Sequence, residues 1–230
     1  MRHVFDKAYW EQHWRQGSAD SPGSMGGNQP NPYLARETGG LVPGMALDAG
    51  CGAGAEAMWL ASRGWRVTAV DISSEALARA AERATASGVS ERLRWVEADL
   101  GVWNPDGRFD LVTTHYAHPA MPQLEFYDRI AGWVAPGGTL LIVGHLRTRI
   151  ATDGEGHGLS QGHGHGSGHH PPAEASATAA AITARLDQTA WEVVAAEECH
   201  RMLIGRGGAE VPIHDVVVRA TRRNQFTLTR

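Results

Sequence analysis

From Met45 onward the chain alternates short apolar runs with longer stretches whose apolar residues recur every three or four positions. The runs Met45-Ala46-Leu47, Val67-Thr68-Ala69-Val70, Leu93 to Glu97, Phe109 to Thr113, Thr139 to Val143, Trp191 to Ala196 and Asp215 to Ala220 read as strands. Between them lie an alanine-rich helix over 55–62 that Gly64 can end, and a second that Ser73 or Ser74 can cap and Gly88 can end. Further helices are predicted over about Gln123 to Trp133 and about Glu174 to Leu186, and a Pro136-Gly137-Gly138 turn feeds the fifth strand. Strands separated by helices pair in parallel, with helices on both faces of the sheet. The last two strands have no helix between them, so they should pair as a hairpin at one edge. The prediction is an α/β, doubly wound, seven-stranded, mostly parallel sheet with a terminal antiparallel hairpin.

Two segments fall outside this rhythm. Phe5 to Arg15 carries Phe5, Tyr9, Trp10 and Trp14 at helical spacing, and the Gly, Ser and Pro stretch Gly17 to Pro32 that follows reads as a loop or lid. Residues 1–40 are therefore expected to form an N-terminal helix and lid. Residues 151–172 interrupt the pattern, with seven glycines and five histidines between Gly154 and His170. That composition cannot bury a core and predicts a flexible insertion. The whole of 1–230 is expected to be one domain.

Composition narrows the picture modestly. Hydrophobic content of 42% and charged content of 20% suit a globular protein, and a net charge of −4 gives no attraction to a phosphate backbone. Two cysteines, Cys51 and Cys199, make no disulfide framework. The start M-R-H-V-F-D-K lacks a signal-peptide core, and no stretch is long and apolar enough to span a bilayer. These features predict a cytoplasmic monomer or homodimer with neither nucleic-acid nor membrane partners.

The chemistry begins at A-L-D-A-G-C-G-A-G-A-E-A, residues 46–57. A strand ending in Asp48, a glycine loop and a helix make a site for a nucleotide-like ligand at the helix N-terminus. Gly50-x-Gly52-x-x-Ala55 fits a dinucleotide fingerprint, with Asp71 at a plausible distance for a ribose, but such a match is unspecific. The ordered set Leu47-Asp48-x-Gly50-x-Gly52-x-Gly54, Val70-Asp71-Ile72-Ser73 and Ala98-Asp99-Leu100 is more demanding, with acids at three successive strand ends.

That set closely resembles the class I S-adenosylmethionine-dependent methyltransferases, best over Leu41 to Val143, and implies a Rossmann-like fold with S-adenosyl-L-methionine as cofactor. The resemblance places Asp48, Gly50, Cys51, Gly52, Gly54, Asp71, Ile72, Asp99, Leu100 and Thr114 around the cofactor. In this placement the glycines clear the methionine part, and Asp48 organises the loop near the amino group. Asp71 accepts from the ribose hydroxyls, Ile72 packs on the adenine, and Asp99 with the Leu100 amide holds the adenine edge.

The acceptor is expected to be a small molecule bearing oxygen, nitrogen, sulfur or another chalcogen. Thr113-Thr114-His115-Tyr116-Ala117-His118 replaces the Asn/Asp-Pro-Pro-aromatic run of base and glutamine methyltransferases. Histidine near neutral pKa makes His115 the candidate general base. Tyr9, Trp10, Trp14, Tyr116 and His118 are the candidate acceptor pocket, in a loose likeness to the thiopurine and tellurite-resistance branch. A competing reading is a metal-binding or metal-responsive protein using a weak site at His157, His163, His165, His169 and His170.

Overall fold

The computed structural model describes residues 5–16, 29–146, 176–204 and 210–224. Its strands are β1 (Met45–Ala49), β2 (Arg66–Asp71), β3 (Leu93–Glu97), β4 (Phe109–His115), β5 (Val134–His145), β6 (Trp191–Ile204) and β7 (Glu210–Arg222). They form one sheet in the order β3-β2-β1-β4-β5-β7-β6. The first five strands pair in parallel, and β7 enters antiparallel between β5 and β6. The order reverses beside β1, so β1 and β4 end at the crevice where open α/β sheets take their ligands.

Among the described residues six α-helices accompany the sheet: α1 (Lys7–Gln16), α2 (Pro32–Thr38), α3 (Ala55–Ser62), α4 (Ser74–Ala86), α5 (Gln123–Ala131) and α6 (Ala179–Thr183). Alternate residues of the central strands feed opposite cores. Ala46, Leu111, Leu141 and Val217 pack with Leu34 of α2 and Leu60 of α3, while Leu47, Val112, Leu140 and Val216 pack with Phe126 and Ile130 of α5 and Ile182 of α6.

The stop and start signals act as the chain chemistry dictates. Ser73 accepts from the Ala76 amide at 3.2 Å to cap α4, and Gly64 and Gly88 leave α3 and α4 with φ of 97° and 69°.

Several elements depart from the sequence pattern. α2 falls in what read as lid and linker; Asn31 caps it by accepting from the Tyr33 amide, with Pro32 at its first turn. Pro136-Gly137-Gly138 lies inside β5, where the register with β4 shifts between Phe109 and Leu111. α6 is shorter than predicted because Thr178 caps it, accepting from Ala181 at 3.1 Å. β6 and β7 run well past Ala196 and begin before Asp215, as a ribbon continuing beyond the end of β5. No helix among the described residues is long and apolar enough to cross a membrane.

Candidate functional site

The loop after β1 is set by backbone geometry. Gly50, Gly52 and Gly54 have φ of 81°, 50° and 76°, values that residues with a Cβ rarely adopt. The Gly50 and Cys51 amides both donate to the Val70 carbonyl, at 2.8 and 3.0 Å, which folds the loop across the end of β2. A Cβ on each glycine would meet something different. At Gly50 it would stand 2.3 Å from Ala117 Cβ; at Gly52, 2.9 Å from Trp14 Cζ2; at Gly54, 2.6 Å from Trp95 Cη2 and 3.0 Å from Ala80 Cβ. Gly54 thus serves the packing of α3 and α4 on β3, whereas Gly52 faces the ring of the N-terminal helix.

Three carboxylates gather at this loop. Asp48 is buried and neither of its oxygens has a hydrogen-bond partner. Burial, then the charges of Glu56 and Asp71, hold its pKa well above the ordinary carboxylate range, with the Ala57 amide opposing weakly. Burial also raises Glu56, against the amides of Asn31 and Glu56 itself and the charge of Arg83. Asp71 accepts from the Gly52 amide at 2.8 Å and the Ser73 amide at 2.9 Å; burial nevertheless raises its pKa. A buried, unpartnered carboxylate beside two others is a destabilising arrangement unless a cation completes it.

The remaining predicted cofactor residues are each engaged locally. Cys51 is buried, and desolvation with Asp71 and Asp48 nearby raises its thiol well above the usual range, so it acts as a small apolar group. Thr114 Oγ1 donates to the Ala49 carbonyl at 2.8 Å. Asp99 Oδ1 accepts from the Gly101 amide at 2.8 Å, a turn-stabilising bond. Leu100 is buried, its Cδ1 lying 3.9 Å from where a Gly50 Cβ would stand, and Ile72 is half-buried beside Asp71.

The second half of the site is the loop after β4. Tyr116 stacks on His145 with ring centroids 4.6 Å apart, and His118 on His145 at 5.3 Å. Gln123 Nε2 donates to the Ala117 carbonyl at 3.0 Å, which orients the amide so that its Oε1 faces His118 Nδ1 at 3.2 Å. His118 therefore carries its proton on Nδ1, and Nε2 is a bare acceptor without a partner. His115 lies within hydrogen-bond range of Thr113 only at 3.5 Å through Nδ1, and its Nε2 is also unpartnered. Burial pushes both His115 and His145 down to about 3, His145 also feeling His118 and Arg201. Burial lowers His118 as well, against the Gln123 bond. These imidazoles are neutral at physiological pH and weak as proton acceptors.

α1 spans both halves. Glu11 accepts from the Ser74 amide at 2.8 Å and Ser74 Oγ at 2.9 Å, pinning the helix to the start of α4. Trp10 Nε1 donates to the His118 carbonyl at 3.3 Å, and Trp14 covers Gly52. Tyr9 packs on Phe5, Trp10 and His13 of its own segment; of these, Phe5 lies 6.0 Å from the His118 ring. The structure thus brings Trp10 and His118 together, sets Tyr116 beside them through His145, and places Trp14 at the glycine loop.

Sequence reasoning did not reach Asn31, Glu56, Arg201 and Asp215. An Asn-Pro pair is a helix-start signal that would have revealed α2 and Asn31. Arg201 and Asp215 meet Tyr116 only through long-range pairing. His157, His163, His165, His169 and His170 lie outside the described residues, among which no group of three or more His, Cys, Asp or Glu side chains is arranged to hold a metal ion.

Residues 46–138 match the family model "Methyltransferase domain". A probable thiol methyltransferase 2 of Arabidopsis thaliana is 30% identical over 138 residues, covering 57% of this chain and 59% of its own. Thiocyanate methyltransferase 1 of the same plant is 34% identical over 112 residues, covering 49% and 48%. The chain thus spans less than two thirds of the length of these relatives. A structure solved for the conversion of a disulfide bond into a thioacetal group during echinomycin biosynthesis superposes with a TM-score of 0.68 at 19% identity, covering 96% of this chain and 93% of that one. At that identity the likeness is one of fold.

Proposed function

We propose that the chain, whose residues 46–138 match a methyltransferase domain, is a class I S-adenosylmethionine-dependent methyltransferase that methylates a small molecule whose nucleophile ionises near neutral pH without a protein base, a thiol above all. The observation that carries the reading is the buried, unpartnered Asp48 carboxylate beside the positive-φ glycine loop, with Glu56 and Asp71 adjoining. Such a cluster suits the cationic amino end of the cofactor.

The remaining side chains take complementary parts. Asp71 commits one lone pair of each oxygen to a backbone amide, which leaves acceptor capacity for the ribose hydroxyls. Asp99 Oδ1 holds the Gly101 amide, which leaves Oδ2 to accept from the adenine amine when the cofactor binds, with Leu100 and Ile72 as apolar walls. Trp14 roofs Gly52, while Trp10, Tyr116, His118 and His145 line the acceptor end.

The cofactor supplies a sulfonium methyl already activated for in-line displacement. Positioning is then the protein's main contribution. With His115 and His145 held near 3, the site offers no strong base to strip a phenol or alcohol. A thiol, with an ordinary pKa of about 8.5, keeps a small but strongly nucleophilic thiolate fraction near neutral pH without a protein base. His115 acts as a neutral hydrogen-bonding wall of the pocket. The thiol and thiocyanate methyltransferases among the relatives agree with this acceptor class.

The test is S-adenosylhomocysteine release from S-adenosylmethionine with benzenethiol, hydrosulfide or phenol. Turnover of the thiols, with a rate that follows the thiolate fraction, supports the proposal. Turnover of phenol alone would refute it.

A further inference from the structure

The acceptor loop is held by side chains that come from the C-terminal hairpin and the start of α2. Tyr116 has φ of 57°, the one non-glycine residue with positive φ among the described residues. That conformation costs about 1–2 kcal/mol and persists only where surrounding contacts dictate it. Here the phenol donates to Asp215 Oδ1 at 2.7 Å and accepts from Arg201 Nη2 at 2.9 Å and Asn31 Nδ2 at 3.2 Å. Arg201 Nε donates to Asp215 Oδ2 at 2.6 Å, so the guanidinium fork grips the phenol and the buried carboxylate together.

Two short paths lead from this oxygen to the glycine loop. Along the chain, Tyr116 is followed by Ala117, whose Cβ occupies the space that a Cβ on Gly50 would need. Through Asn31, the same residue that donates to the phenol also donates its backbone amide to Glu56 Oε1 at 2.9 Å, within the carboxylate cluster. A change in the phenol's position therefore reaches both the floor of the loop and the acids beside it. We propose that Arg201 and Asp215 are positioning residues that set the geometry of the cofactor loop by gripping the Tyr116 phenol. The inference rests on the cofactor placement proposed above.

The test is calorimetric binding of S-adenosylhomocysteine by the full chain in three variants. Tyr116→Phe keeps the ring and removes only the shared oxygen. Arg201→Lys keeps a charge for Asp215 but cannot grip two partners at once. Each single variant should weaken binding about three- to tenfold, the scale of one lost hydrogen bond. The double variant should bind no more weakly than the weaker single, because both act through one oxygen. A role confined to hairpin stability would lower the unfolding temperature and leave the affinity of the folded protein unchanged; that result, or effects that multiply in the double variant and so act independently, would overturn the proposal. Absence of binding by the unsubstituted chain would reject the proposed function itself, which keeps the two failures apart.

Discussion

The proposed cofactor placement divides the glycines of the loop into one that serves the ligand and one that serves the fold, and two alanine substitutions should separate them. Gly54→Ala puts a Cβ 2.6 Å from Trp95 Cη2 and 3.0 Å from Ala80 Cβ at a φ of 76°. Left-handed strain contributes about 1–2 kcal/mol, and forcing a methyl into a packed core adds about 1–3 kcal/mol. The sum, about 2–5 kcal/mol, corresponds to a fall in Tm on the order of 10 °C for a chain of this size. Gly52→Ala carries similar strain at a φ of 50°, but its Cβ meets only Trp14 Cζ2 at 2.9 Å, the tip of a side chain on a helix that can shift. Its stability cost should be about 1–2 kcal/mol, while its methyl intrudes on the ligand face. Thermal unfolding gives the first quantity and calorimetric titration with S-adenosylhomocysteine the second. Gly54→Ala should lose the more stability and keep its affinity; Gly52→Ala should lose affinity by more than tenfold. Equal affinity for the two variants, or a larger stability loss for Gly52→Ala, would refute the division.

Two further predictions concern charge. Asp48→Asn removes a buried carboxylate with no partner, so the ligand-free protein should gain about 1–2 kcal/mol while S-adenosylhomocysteine binding weakens; a loss of stability in denaturant unfolding would show that the carboxylate is already satisfied. His115 has a folded pKa near 3 against an ordinary 6.5, so the unfolded chain binds the extra proton between these values and stability falls as pH drops through that window. The cost at pH 5 is about 2 kcal/mol; His115→Asn should remove it, leaving the background carboxylates common to both proteins, and parallel stability curves would contradict the assignment.

Much of the parallel half of the sheet was legible: Val67 to Val70 is a buried, mostly apolar run within β2, and Leu93 to Glu97 matches the partly exposed edge strand β3, whose Leu93, Trp95 and Val96 are its apolar residues. The hairpin was half legible. Its outer part, from His200 to Ile204 and back from Glu210 to His214, pairs only with itself beyond β5, so no core imposes an apolar rhythm there. The three acids of the proposed cofactor site could be picked out because they stand at or just beyond strand ends. The Tyr116 grip could not, since its partners lie 85 and 99 residues away and carry no periodic signal. Nor does a histidine's type reveal its burial: His115 reads as a base, and the enclosed site makes it a weak one.

The central claim is tested most directly by titrating the purified chain with S-adenosylmethionine, S-adenosylhomocysteine and NAD in a calorimeter. The account predicts saturable one-site binding of both S-adenosyl ligands, lost in Gly52→Val, and no binding of NAD. Tight NAD binding with no S-adenosyl binding would contradict it.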